Sequence, residues 1–232
     1  SRSVQIAGSS MGGAADKLVD LARNAAADLL EAAPGDIVLD RERGAFHVAG
    51  TPTASRSWAE IADGAGEPLV GLSDFVQAGA TFPFGCHVAV VEVDTETGQA
   101  TVERIVAVDD AGVIINPLLA AGQIHGGLAQ GIAQALLEEV RYDEDGNPQT
   151  SNLADYTAIS TMEVPMYERS FTETSTPRNP LGAKGIGEAG SIGSTAAVQS
   201  AVIDALAPFG IRHLDMPLTP ERIWSALRTS VE

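Results

Sequence analysis

The chain has 232 residues, and 31 acidic against 14 basic side chains give it a formal net charge of −17. Hydrophobic residues make up 44% of the sequence, enough apolar surface for a core, which excludes a disordered polyelectrolyte. The negative charge argues against nucleic-acid and anionic-membrane partners, because each would repel the chain. The single cysteine, Cys86, excludes an internal disulfide and an iron–sulfur cluster held by this chain alone.

The sequence carries no targeting signal that we recognise. No run approaches the ~20 apolar residues of a membrane helix, and no basic segment precedes an apolar one at the N-terminus. We therefore expect a cytoplasmic protein without membrane insertion. Because the first residue is Ser1 rather than Met, we also expect a processed chain or a piece of a longer polypeptide.

The first third of the sequence predicts scaffold elements. Apolar residues recur at helical spacing over 14–32 and predict an amphipathic helix. Short strands are predicted at 37–39 and 45–48, and Ser57-Trp-Ala-Glu60 is a capping box that predicts a brief helix. No low-complexity linker follows, so we place a possible divide between two lobes near residues 65–85.

Two Val- and Ile-rich stretches, 86–93 and 100–108, flank the turn sequence Asp94-Thr-Glu-Thr-Gly98 and predict a β-hairpin. A glycine-rich helix is predicted over 119–139. Each interior glycine costs a helix about 0.8–1 kcal/mol relative to alanine, so several together predict a close approach to this backbone.

Two more helices are predicted, over 195–206 and from Thr219 onward, where Thr219 caps and Pro220 takes the first helical position. The predicted fold is therefore a mixed α/β (α+β) arrangement in two lobes, in which the helices pack on a mixed or antiparallel sheet.

The loop Gly182–Gly193 has five glycines in twelve positions and precedes an apolar helix. It contains a G-x-G-x-x-G pattern, but we reject a dinucleotide-binding motif because Thr176-Pro-Arg-Asn-Pro180, rather than an apolar strand, comes before it. Glu188 stands in this loop without a neighbouring arginine in the sequence. A carboxylate in a narrow apolar loop tends to have a raised pKa and suits general-base chemistry; the alternative is an ordinary solvated glutamate.

The histidines and the cysteine predict no metal site. His125 has no histidine three or four positions away, and the other three histidines are scattered, so we interpret them as surface or packing residues. Cys86 lies in a predicted strand, and we interpret it as a buried thiol.

Three segments appear in a characteristic order: Gly122–Glu139; Asp155-Tyr156 followed by Val164-Pro165; and Lys184–Gly190 leading into Ala196–Ala205. Together they resemble the molybdenum-binding large subunits of the molybdenum hydroxylases, a family of xanthine dehydrogenases, aldehyde oxidoreductases and aerobic carbon monoxide dehydrogenases. The resemblance extends from Ser1 to the C-terminal helix and implies that residues 1–232 are the C-terminal part of a molybdopterin-binding domain.

The resemblance implies a role for several residues. Glu188 matches the glutamate that takes a proton from the hydroxide on the metal, so that the oxygen attacks an electron-poor carbon, and Gly187 lets the backbone close around the cofactor. Gln123 matches a glutamine that hydrogen-bonds the pterin, with a polar helix residue as the alternative. Ser1 and Ser3 look like serines that bind the dinucleotide form of the cofactor, with a frayed terminus as the alternative.

The cofactor implied is molybdopterin cytosine dinucleotide with molybdenum, and iron–sulfur clusters and FAD are expected on partner subunits. The other partners implied are the remainder of the large subunit and a small-molecule substrate: an aldehyde, an N-heterocycle or carbon monoxide, with water as the oxygen source. Complete subunits of the family are several times larger, so the isolated chain is expected to be inactive. The rival hypothesis is a non-catalytic assembly or binding module that retains the family fold.

Overall fold

The computed structural model describes residues 2–229, which form five α-helices and two three-stranded sheets. The helices are α1 (Ser9–Leu29), α2 (Trp58–Gly64), α3 (Pro117–Leu136), α4 (Ala189–Leu206) and α5 (Pro220–Thr229). The strands are β1 (Ile37–Asp40), β2 (Ala45–Val48), β3 (Thr51–Ser57), β4 (Phe84–Val93), β5 (Ala100–Asp110) and β6 (Tyr167–Thr172). The predicted mixed α/β fold is confirmed.

The chain divides into two compact units. The first unit is Ser3–Ala78, and the second runs from Gly79 onward, with Arg2 grouped to it. The first unit packs α1 and α2 on the antiparallel sheet β1-β2-β3. Its core is built from six buried side chains: Ala22, Ala26, Ala27, Ile37, Phe46 and Ile61.

Helix α1 is shifted toward the N-terminus relative to the prediction, because a π-helical turn, Val4–Gly8, leads into it and extends the helical run backwards. The capping box at α2 is confirmed. The Ser57 side chain accepts a hydrogen bond from the Glu60 amide at 3.3 Å, and Glu60 Oε2 accepts one from the Ser57 amide at 2.8 Å.

In the second unit, β5 lies between β4 and β6. The hairpin prediction is confirmed, because β4 pairs antiparallel with β5 and Val88 lies opposite Val106. Strand β6 pairs parallel to β5, with Tyr167 beside Ile105. The sequence of β6, Tyr-Glu-Arg-Ser-Phe-Thr, lacks the valine and isoleucine run that marks the other two strands, and we did not predict it.

Glycines bring α3 and α4 into backbone contact. A Cβ on Gly127 would lie 2.8 Å from the Gly190 Cα, and one on Gly131 would lie 2.8 Å from the Thr195 amide nitrogen. The close approach predicted from the glycines of α3 is therefore found at two of them. By contrast, nothing in the described chain lies within 4 Å of a Cβ built on Gly122 or Gly126.

The bounds of α3 and α4 differ from the prediction at their ends. Helix α3 begins at Pro117, because the Asn116 side chain caps it by accepting a hydrogen bond from the Leu119 amide at 3.0 Å. Helix α4 begins at Ala189, six residues before the predicted start, because Gly190 and Gly193 continue the helix instead of preceding it. Glu188 is therefore the residue that leads into the helix.

By length and composition alone, Ala189–Phe209 could cross a membrane, which was not expected from the sequence. Within the second unit, however, α4 lies against α3 and β4, and Val198, Val202 and Leu206 are fully buried in the core. Of the stretch that passes this test, 22% is buried in the structure, and a single such helix is weak evidence for a membrane span.

The interpretation of Cys86 as a buried thiol is wrong. Side chains alternate between the two faces of a strand, and His87 is the residue that faces Gly193 of α4. Its neighbour Cys86 therefore points to the opposite face of the sheet, where it is exposed.

Candidate functional site

Glu188 is exposed at the start of α4. Its carboxylate forms no hydrogen bond or ion pair with any residue between 2 and 229, whereas its backbone carbonyl accepts hydrogen bonds from the Ile192 amide and the Ser191 hydroxyl, both at 3.1 Å. The helix thus fixes the backbone of Glu188 and leaves the acid available to a molecule outside the chain.

Gln123 lies on the segment of α3 that crosses the beginning of α4. A Cβ on Gly190 would lie 2.8 Å from the carbonyl oxygen of Ile124, the residue after Gln123. The crossing therefore brings the backbone around Gln123 close to the backbone that follows Glu188. Gln123 is itself exposed, and no atom of the described chain lies within 4 Å of a Cβ built on the nearby Gly122 or Gly126.

His125 belongs to a small aromatic and cationic cluster next to this crossing. Its Nε2 accepts a hydrogen bond from Arg169 Nε at 3.3 Å, and its ring centroid lies 5.3 Å from that of Tyr167. Burial raises the pKa of the Tyr167 phenol. The cluster ties β6 to the exposed face of α3.

The loop before Glu188 is held by a buried ion pair. Lys184 Nζ lies 2.9 Å from Asp110 Oδ1, and the side chains are 8% and 0% exposed. Burial alone would raise the pKa of Asp110, but the Lys184 ammonium, the Gly112 amide and the Thr174 amide outweigh it and hold that pKa well below its usual range. Asp110 therefore stays ionised and keeps its hold on the loop.

A second buried pair lies one residue earlier on β5. His87 Nε2 is 3.0 Å from Asp109 Oδ1, and these side chains are 2% and 3% exposed. Because a carboxylate only accepts hydrogen bonds, Nε2 carries the proton. The other ring nitrogen, Nδ1, is buried without a partner among the residues described. The ring lies against Gly193 of α4, where a Cβ would come within 2.6 Å of His87 Cγ.

The sequence reasoning missed both pairs. It placed His87 among ordinary packing residues and gave no role to Lys184, Asp109 or Asp110. One signal was present in the sequence: two consecutive aspartates end a strand that is otherwise rich in valine and isoleucine. Carboxylates buried at the end of such a strand require partners, and a lysine or a histidine is a suitable one.

Two further residues were predicted to bind the cofactor and are described by the structure. Gly187 is exposed in the turn before Glu188, whereas Ser3 is exposed in the first unit, next to the π-helical turn. The prediction for Ser1 falls outside the described residues. Over residues 2–229, no three side chains of His, Cys, Asp or Glu converge in a way that could hold a metal ion.

Residues 1–165 match the sequence profile of a family described as molybdopterin cofactor-binding domain. The carbon monoxide dehydrogenase large chain of Hydrogenophaga pseudoflava is 39% identical over 236 residues, covering 98% of this chain and 29% of the relative. The nicotine 6-hydroxylase large subunit of Paenarthrobacter nicotinovorans is 38% identical over 245 residues, covering 100% of this chain and 30% of the relative.

The fold is shared as well. The solved structure of reconstituted carbon monoxide dehydrogenase from Oligotropha carboxidovorans matches with a TM-score of 0.88 and 32% identity, over 99% of this chain and 29% of that one. The chain thus spans less than a third of the length of these relatives.

Proposed function

The chain belongs to the family of molybdopterin cofactor-binding domains, and on that premise we propose that it supplies the general base of a molybdenum hydroxylase large subunit. The complete enzyme would be a molybdenum-dependent oxidoreductase that hydroxylates an aldehyde or an N-heterocycle, or oxidises carbon monoxide, with water as the oxygen source. The observation that carries this proposal is the unpaired, exposed carboxylate of Glu188 beside the α3–α4 crossing.

The exposed side of α3 fits a flat, polar cofactor. Gly122 and Gly126 have no side chains, and nothing in the described chain lies within 4 Å of a Cβ built on either. The backbone on both sides of Gln123 is therefore accessible. The Gln123 amide offers both a donor and an acceptor, which matches the edge of a pterin. Gln123 would hold the cofactor, and Gly187 would let the loop approach it.

Glu188 would act as the base. Hydroxylation of a carbon by water releases two protons and two electrons for each oxygen atom transferred. When bound, the molybdenum cofactor supplies the redox chemistry that takes up the two electrons. The Glu188 carboxylate, which no other residue of the described chain engages, accepts a proton from the oxygen that attacks the substrate carbon.

The remaining assignments follow from the same proposal. The cofactor would be the cytosine dinucleotide form, with Ser1 and Ser3 among its contacts. Both units would belong to one domain over residues 1–232, and the remainder of the large subunit would complete the site. Iron–sulfur and flavin subunits, the latter carrying FAD, would pass the electrons onward in a cytoplasmic complex.

The test uses the full-length large subunit co-expressed with its partner subunits. Glu188→Gln keeps the shape of the side chain and the neighbouring glycines but removes the base. We expect unchanged molybdenum content and a turnover per molybdenum reduced by about 10²–10⁴-fold. Glu103→Gln, which removes an exposed carboxylate from β5, is the matched control and should keep full turnover.

Substrate-dependent dye reduction, normalised to molybdenum content, gives the measurement. Screening an aldehyde, an N-heterocycle and carbon monoxide in the same assay identifies the substrate class. A Glu188→Gln enzyme with wild-type turnover per molybdenum would overturn the proposal and favour a non-catalytic assembly or binding module.

A further inference from the structure

Two consecutive carboxylates at the end of β5 reach the segment that carries Glu188 from two sides. Asp110 binds Lys184, four residues before Glu188, and Asp109 binds His87, whose ring lies against Gly193, five residues after it. We propose that Asp109 and Asp110 position Glu188, acting through His87 and Lys184, an inference that rests on the proposed function of Glu188 as a base.

The anchor on the N-terminal side is the more extensive one. Beyond the ion pair, the Lys184 amide donates a hydrogen bond to the Ala111 carbonyl at 2.7 Å. The Asn179 side chain accepts a hydrogen bond from the Ala183 amide at 3.2 Å and donates one to the Ala183 carbonyl at 2.8 Å. The backbone that enters the loop is therefore fixed to the end of β5. Only three residues lie between Lys184 and Glu188.

The Lys184 ammonium has its partners on the protein side. It binds Asp110 and lies 4.8 Å from the centroid of the Phe84 ring, and its side chain is 8% exposed. Such a buried cation is not placed to bind a substrate anion from solvent. Lys184 instead fixes the start of the loop against the end of β5, and it therefore acts as a positioning residue.

The anchor on the C-terminal side works by shape. The His87 ring is oriented by Asp109 and occupies the volume that a side chain at residue 193 would need. A cavity of about 110 Å³ lies beside this contact, and His87, Asp109 and Gly193 are among the residues that line it. His87 is therefore the side chain of β4 that lies against α4 at Gly193, beside this cavity.

Position matters for proton transfer because the base has to lie within hydrogen-bond reach of the proton that it accepts. A displacement of about 1 Å can reduce a rate by about a hundredfold. The two anchors would hold Glu188 within this tolerance while its own side chain remains unpaired.

The experiment uses the full-length, cofactor-loaded complex. Lys184→Met removes the ammonium and keeps much of the side-chain volume, and the double variant Asp110→Asn/Lys184→Met removes both charges, so that no unpaired charge is left buried. We expect molybdenum content and KM to be retained and kcat to fall about tenfold to a hundredfold in both. Gly193→Ala, which displaces the His87 ring, should lower kcat in the same way.

Two further measurements separate positioning from general damage. The double variant Lys184→Met/Glu188→Gln should have the same kcat as Glu188→Gln alone, because both changes act on the same proton-transfer step. Hydrogen exchange of the amides at 185–190 should become faster in Lys184→Met, with or without cofactor. The control Arg104→Met/Glu168→Gln breaks an exposed ion pair between β5 and β6 and should leave kcat and this exchange unchanged.

The outcomes distinguish the inference from the proposed function. If Glu188→Gln reduces turnover but Lys184→Met retains wild-type kcat and wild-type exchange at 185–190, the positioning inference is overturned and the proposed function stands. A fully active Glu188→Gln enzyme overturns the proposed function, and the exchange measurement alone then decides whether the anchors order the loop.

Discussion

Gly127 and Gly190 face each other so closely that a Cβ on Gly127 would lie 2.8 Å from the Gly190 Cα. This contact sets the separation of α3 and α4, and with it the separation of Gln123 from Glu188. The geometry of the candidate site thus depends on residues that carry no functional group.

The crossing predicts a contrast between two glycine-to-alanine substitutions in helices. Gly131→Ala brings a methyl group to 2.8 Å from the Thr195 backbone nitrogen, and we expect it to destabilise the fold by about 2 kcal/mol despite the better helix propensity of alanine. Gly12→Ala in α1 meets nothing within 4 Å and should stabilise by up to about 1 kcal/mol. Urea unfolding of the full-length subunit measures both effects, and equal effects would contradict the backbone contact.

Gln123 should control cofactor retention. Gln123→Ala removes an exposed amide from α3, and if that amide holds the pterin, one lost hydrogen bond of about 1 kcal/mol weakens cofactor binding about fivefold. Molybdenum analysis after dialysis is the measurement. Gln130→Ala changes another exposed glutamine of the same helix and should retain its molybdenum; equal losses in both variants would remove Gln123 from the site.

The Asp110–Lys184 pair predicts a pH dependence of stability. Because the pKa of Asp110 is held below that of an ordinary aspartate, its contribution is fully present above about pH 4 and is lost as the pH falls further, toward the folded-state pKa. Between pH 7 and 3, the stability of the wild type should therefore fall relative to the Asp110→Asn/Lys184→Met variant. Urea unfolding across that range checks it, and a constant difference below pH 4 would contradict an ionised, paired Asp110.

The capping box of α2 gives a prediction for the first unit. Ser57→Ala removes the side-chain acceptor for the Glu60 amide and should destabilise this unit by about 1 kcal/mol. The control is Ser55→Ala on β3, a half-buried serine outside the cap. Hydrogen exchange of the α2 amides should respond to the first change and not to the second.

Local signals in the sequence predicted the elements that local interactions determine. The Val-rich hairpin and the capping box at Ser57 depend on residues close together in the chain, and the structure contains both. The glycines of α3 predicted a close approach to that helix, but the residues of α4 that meet them lie more than 60 residues away in the chain. Strand β6 depends instead on its distant neighbour β5, and its own sequence carries little strand preference. The early start of α4 does not follow from its sequence, because glycines such as Gly190 are typical of loops and continue this helix only through their contact with α3.

The candidate site divides in the same way. Glu188 and Gln123 are predicted site residues because they stand in short motifs that resemble a family, whereas Asp109, Asp110 and His87 lie in strands whose sequence shows no such motif. Their partners are brought to them by tertiary structure: Lys184 is 74 residues from Asp110 in the sequence. A pair so far apart in the sequence forms only because the fold brings the two residues together, and the spacing of residues in a motif does not reveal it.

The parallel pairing of β5 with β6 also determines the order in which this unit is completed on the ribosome. The β4–β5 hairpin can close as soon as Asp110 has emerged, but its parallel neighbour and the helix that covers α3 are synthesised much later. Until Ala189–Leu206 has emerged, the apolar side of α3 that carries Ile124, Leu128 and Ile132 lacks the helix that packs against it. Slow translation between residues 136 and 189 would therefore prolong the time for which this side of α3 stays uncovered by α4, and exposed apolar surface favours aggregation of a nascent chain.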